Sequence, residues 1–187
     1  MNPPLLFMRH GATALNAAGL RCGGDVDLPL AELGHRQAMH AAQHLAGLRP
    51  RVGVIVVSAL QRTRQTADIV GRSLHGVETV VDAAFNERRL GEWNRRPIAE
   101  TQAELAAGIT PPGGESNAEF TQRIRDAVVA TLLPLLGQRP LLIASKGVAR
   151  VLGELAGHGA SQPLDNAGLA VFDLSPLLRQ CALECAA

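Results

Sequence analysis

"PLLIASKGVARVLGELAG", residues 140–157, decides the fold. An apolar run reads as a buried strand, passes through Ser145-Lys146-Gly147, and continues as a helix. The same alternation recurs along the chain. "PLLFM" (4–8), "VGVIVVS" (52–58), "VETVV" (77–81) and "GLAVFDL" (168–174) read as further strands. "VGVIVVS" is β-branched and does not alternate, which marks a strand covered on both faces. Between them, "AELGHRQAMHAAQHLAGL" (31–48), "ALQRTRQTADIVGRSL" (59–74), "PIAETQAELAAG" (97–108) and "NAEFTQRIRDAVVATLLPLL" (117–136) read as helices. "PPGGES" stops the chain before the last of these, with Glu115 or Ser116 as its cap. Pro134 is expected to kink or end that helix. Strands alternating with helices predict an α/β fold of three layers, with a mainly parallel central sheet between helices. No repeat, low-complexity tract or linker interrupts the pattern, so residues 1–187 are expected to form a single domain.

The 187 residues suffice for a sizeable core, and 47% are apolar, which argues against disorder. A net charge of +1 gives no global field toward nucleic acid or membrane. No apolar run spans a bilayer and "MNPPLLFMRHG" lacks a signal-peptide pattern, so a soluble, cytoplasmic protein is expected. Cys22, Cys181 and Cys185 are too few for a disulfide framework, and the last two fall in an expected frayed tail. His40 and His44 have metal-ligand spacing but lie on an ordinary amphipathic helix, whose solvated face they are expected to occupy. No metal site and no cofactor is predicted.

In open α/β sheets ligands bind beyond the carboxyl ends of the strands. The polar residues there are Arg9, His10 and Gly11 after the first strand, then Ser58 with Arg62 one helical turn on. Glu87 follows the third strand, and Ser145, Lys146 and Gly147 follow the fourth. Three cations and two helix N-termini at one rim suit a dianion, most naturally phosphate. Cations around His10 would keep its imidazole neutral and nucleophilic. Gly11 would admit a ligand close to the backbone.

Taken together, "LFMRHGATALN" (6–16), "GGDVDLPLAELGHRQA" (23–38), "VSALQRTRQTADIV" (57–70), "NERRLGEW" (86–93) and "PPGGESNAEF" (111–120) resemble, in order, the motifs of the histidine phosphatase superfamily, also called phosphoglycerate mutase-like. The resemblance implies that fold and a phosphohistidine on His10, with Arg9 and Arg62 on the phosphoryl oxygens. It makes Glu87 the proton donor to the leaving group, with Thr13 and Asn16 lining the pocket. One position departs from it: where the family carries a second histidine, this chain has Lys146. Lysine has three donors and is expected to face the phosphate with Gly147, because a cation at a helix N-terminus is otherwise disfavoured by about 0.3–1 kcal/mol.

For the first step Glu87 has to hold a proton, which partial burial favours, and the neighbouring Arg88 and Arg89 must point elsewhere. Arg88, Arg89, Arg95 and Arg96 read either as a solvated basic loop or as readers of a second acidic group on the substrate, Arg88 foremost. Trp93 is expected to anchor its loop. The expected ligand is a small phosphorylated metabolite. Hydrolysis competes with two alternatives: a phosphoglycerate mutase-type transfer, and a pseudophosphatase that binds phosphorylated ligands, which only Lys146 supports.

Overall fold

In the computed structural model, which describes residues 4–49, 51–158 and 164–184, each expected strand is present. They are β1 (Leu5–Arg9), β2 (Val54–Val57), β3 (Glu78–Val81), β4 (Pro140–Ala144) and β5 (Leu169–Phe172). They form one sheet in the order β3-β2-β4-β1-β5. The pairs β1/β4, β2/β4 and β2/β3 are parallel, and β5 runs antiparallel to β1. The helices are α1 (Ala14–Ala17), α2 (Glu32–Gly47), α3 (Gln61–Leu74), α4 (Ile98–Ala106), α5 (Asn117–Ala127), α6 (Lys146–Leu155) and α7 (Ser175–Glu184).

Successive strand side chains point to opposite faces, so each central strand feeds two cores. Met8, Ile55, Val57, Leu141 and Ile143 pack against Ala41, Ala42 and Leu45 of α2 and Ala67 and Val70 of α3. Leu5, Phe7, Val56, Leu142 and Ala144 pack against Phe120 and Ile124 of α5, Val148, Val151 and Leu152 of α6, and Leu177 of α7. Each fully buried side chain of this size contributes about 1.5–3 kcal/mol. Phe7 meets Phe172 edge-on, with ring centroids 5.9 Å apart, which ties the antiparallel edge strand to the centre. β2 and β4 are buried along their whole length, whereas β3 is a largely exposed edge strand.

The structure settles two local expectations and changes a third. The α-helical pattern of α5 ends at Ala127, before Pro134; residues 128–132 form a wider π turn and residues 133–138 a 3₁₀ segment that carries the proline in its first turn. Pro134 has no N–H and its ring crowds the carbonyl four residues back, so the hydrogen-bond register shifts upstream of it. Ser116 rather than Glu115 caps α5, in a capping box with Glu119. The expected frayed tail is helix α7, held to the core by Leu177 with Cys181 packed alongside; Cys185 lies outside the described residues. No helix among the described residues is long and apolar enough to cross a membrane.

Candidate active site

The parallel register brings the strand ends level. Arg9 stands opposite Ala144, and Val57 stands opposite both Ile143 and Val81. The next residues, His10, Ser58 and Ser145, therefore share one rim. His10 is fixed there by its backbone: its N–H donates to Ala144 O at 3.0 Å, and its carbonyl accepts from Ala167 N at 3.1 Å and Asn166 Nδ2 at 3.0 Å.

The His10 side chain is buried, at 4% exposure. Its Nδ1 lies 2.7 Å from Gly11 O. A carbonyl only accepts, so Nδ1 carries the proton and Nε2 keeps its lone pair. The imidazole pKa is pushed down to about 3, first by burial and then by Arg62 and Arg9, against the pull of the Gly11 carbonyl. The expectation of a neutral ring holds, but burial outweighs the cations as its cause.

Arg62 is fully buried and donates to Val26 O at 2.8 Å and Gly23 O at 3.2 Å. It thereby pins the glycine-rich loop to the sheet edge. Arg9 donates to Leu164 O at 2.8 Å. Among the described residues, Nε of each arginine is buried without a hydrogen-bond partner, as is Ser145 Oγ. Burial works against the charge of Arg9, with Glu87 and Asp165 opposing it.

Glu87 is half-buried, with both carboxylate oxygens engaged: one accepts from Arg88 N at 2.7 Å, the other from Gly147 N at 2.9 Å. Its loop is braced on two sides. Asp25 accepts from Leu90 N, Gly91 N and Asn94 Nδ2, while Gly24 N donates to Arg88 O. On the other side, Arg123 forms two hydrogen bonds to the Glu115 carboxylate and reaches the carbonyls of Ala84 and Asn86.

Several expected residues serve otherwise than expected. Gly11 does not open the backbone to a ligand: a Cβ there would fall on the Gly34 carbonyl, and Gly11 N is taken by Thr66 Oγ1 at 3.1 Å. Its lack of a side chain lets α2 pack against the strand end. Gly147 spends its N–H on Glu87. Arg88 turns into the protein, with Nε donating to Glu115 O at 2.7 Å and Nη2 buried without a hydrogen-bond partner among the described residues. Arg89, Arg95 and Arg96 are exposed, and Trp93 is buried as an anchor. Thr13 and Asn16 form the capping box of α1, which leaves the Asn16 NH₂ with no acceptor among the described residues. Lys146 is exposed at the first position of α6 and has no ion pair or hydrogen bond among the described residues.

Two neighbours of the site were not expected. Burial pushes the Cys22 thiol up, with Arg62 and Thr13 opposing and Glu87 and Asp25 adding to it, which places the thiol among these groups. Arg21 feels Glu87 and ties the glycine-rich loop to α4 through Thr101 Oγ1, Ile98 O and Gln102 Oε1. The "AAGLRCGGDVDLPL" loop marks its own location by its glycines, but nothing in it signals which side chains turn inward.

The sequence profile of the histidine phosphatase superfamily (branch 1) matches residues 5–179. The chain is 35% identical over 130 residues to fructose-2,6-bisphosphatase TIGAR B of Danio rerio, spanning 65% of this chain and half of that protein's length. It is 37% identical over 154 residues to "Probable phosphoglycerate mutase GpmB" of Cronobacter sakazakii, spanning 76% of this chain and 69% of that one. A mycobacterial glucosyl-3-phosphoglycerate phosphatase, solved with VO3, is similar with a TM-score of 0.76 and 30% identity over 90% of each chain. The alpha-ribazole phosphatase of Shigella flexneri shares the fold, with a TM-score of 0.75 at 24% identity over 91% of this chain and 90% of that one.

Proposed function

Because the chain belongs to the histidine phosphatase superfamily, branch 1, we propose that it hydrolyses small phosphomonoesters through a phosphohistidine on His10. The observation that carries this reading is the buried neutral imidazole, its Nδ1 proton held by Gly11 O and its Nε2 lone pair left for phosphorus. Arg9 and Arg62 stand beside it, each with a buried Nε that lacks a partner among the described residues. A buried donor without a partner costs about 1–3 kcal/mol, and a phosphoryl oxygen relieves it.

In the first step the Nε2 lone pair forms the N–P bond as the P–O bond to the leaving group breaks. Glu87, protonated for this step, gives its proton to the departing oxygen. Water then attacks phosphorus, Glu87 takes its proton, and the N–P bond breaks to release phosphate and His10. The positive charge that holds the equatorial oxygens comes from Arg9 and Arg62, with the Asn16 NH₂ as a further donor. These groups belong to the protein itself, and no metal or cofactor enters the scheme. The names of the relatives point to phosphorylated sugars and glycerates as the substrate class.

Lys146 favours a second reading. Its exposure leaves the family's second cationic position outside the enclosed site, as in a protein that binds phosphorylated ligands without turnover. Incubation with p-nitrophenyl phosphate and with 3-phosphoglycerate separates the readings. Phosphate release from either supports hydrolysis, isomerisation of 3-phosphoglycerate supports the mutase-type transfer, and binding with neither supports the pseudophosphatase.

A further inference from the structure

The start of α6 is capped from a distance. Ser145 occupies the N-cap position, but its side chain makes no capping hydrogen bond. The Glu87 carboxylate, 60 residues away, makes one instead, accepting from Gly147 N at 2.9 Å. The carboxylate stands where a side chain on residue 147 would begin: a Cβ there would overlap Oε1 and the carboxyl carbon of Glu87 and press on Oε2. The backbone of Gly147 is ordinary helix without positive φ, so conformational freedom does not require glycine there. The missing atom is where the carboxylate sits. Gly24 does the same for the backbone of this residue, since a Cβ there would overlap the Glu87 carbonyl. Two glycines thus make room for Glu87, one at its peptide and one at its carboxylate.

We infer that Gly147 is a positioning residue for Glu87: its bare N–H on the first turn of α6 fixes where the carboxylate stands relative to the leaving group. The inference rests on the reading of Glu87 as proton donor. It also reassigns Gly147, whose N–H holds the acid rather than the phosphate. Lys146, one residue earlier, lies exposed at the first position of α6 rather than inward over the helix terminus.

The test compares kcat/KM on p-nitrophenyl phosphate, whose phenolate leaves with little help from an acid, and on glycerol phosphate, whose alkoxide needs a proton. Glu87→Gln should lose about 10²-fold or more on glycerol phosphate and far less on p-nitrophenyl phosphate. Gly147→Ala should show the same selectivity at roughly tenfold. Its fold should persist, because alanine is the better helix former and the group in its way is the end of a flexible side chain. Glu87→Asp in the Gly147→Ala background shortens the acid by one methylene and should recover part of the loss on glycerol phosphate. This double variant also carries the test if Gly147→Ala alone fails to fold. A readout independent of turnover is the Gly147 amide proton resonance, which should move between the parent and Glu87→Gln. An equal loss on both substrates in Gly147→Ala, with Glu87→Gln selective, overturns the inference and leaves the reading of Glu87 intact. No selectivity in Glu87→Gln overturns that reading and the inference with it. An unmoved Gly147 amide overturns the contact itself.

Discussion

His10 and Lys146 lie at the ends of neighbouring segments and meet opposite fates. His10 is enclosed, its tautomer set by one carbonyl, while Lys146 reaches solvent. A group held in place contributes to a transition state without reorganising, and an exposed flexible ammonium contributes less. Arg62→Ala should therefore lower kcat/KM about a hundredfold or more, and Lys146→Ala less than about tenfold, in steady-state assays on one substrate. Equal losses would mean that Lys146 folds inward on binding. These two residues also mark what the sequence made legible. The chemistry-bearing types one step beyond each strand end were visible, because strand ends follow from apolar runs. The uses of Gly11, Gly147 and Arg88 were not. Each depends on what lies opposite: a carbonyl of α2, a carboxylate from a distant loop, and the carbonyl of Glu115. Cys22 was hidden for the same reason.

At the scale of elements, the acid-bearing loop is held by a brace from α5. The Glu115 side chain is 4% exposed and pairs with Arg123, which also holds the Ala84 and Asn86 carbonyls. Removing the cation leaves a buried carboxylate without its partner. Arg123→Leu should destabilise the protein by about 3 kcal/mol in urea unfolding, at the lower end of the range because Arg123 is partly exposed. Replacing both partners with apolar residues should cost less than Arg123→Leu alone. A change below about 0.5 kcal/mol would place the pair among ordinary surface bridges. The brace was half-legible. "PPGGES" announced the start of a helix through its turn residues and its cap, but the partner of Glu115 sits two helical turns further on and shows only once the loop is folded back. Helix α7 was hidden differently: "SPLLRQCALE" has one buried residue, too little periodicity to stand out.

For the whole molecule, the parallel sheet was legible because β2 and β4 are buried from end to end and their runs carry no polar break. The consequence for stability comes from His10. Its folded-state pKa, about 3, lies below the ordinary value of 6.5, so between these values the unfolded chain binds a proton that the native protein refuses. Stability from this group is complete above pH 6.5 and is lost as the pH falls toward 3. Going from pH 7 to pH 5, the parent should lose about 2 kcal/mol more than His10→Gln in urea unfolding. Parallel losses in the two proteins would contradict a buried neutral imidazole.

The central claim is that phosphorus passes through His10 Nε2. The direct measurement is rapid acid-free quenching during turnover of a ³²P-labelled phosphomonoester, followed by peptide mapping at alkaline pH, where phosphohistidine survives. The account predicts label on the peptide containing His10, attached at Nε2, and none in His10→Ala, which should also lose turnover. Label on another residue, or turnover of His10→Ala within a few-fold of the parent, would contradict it.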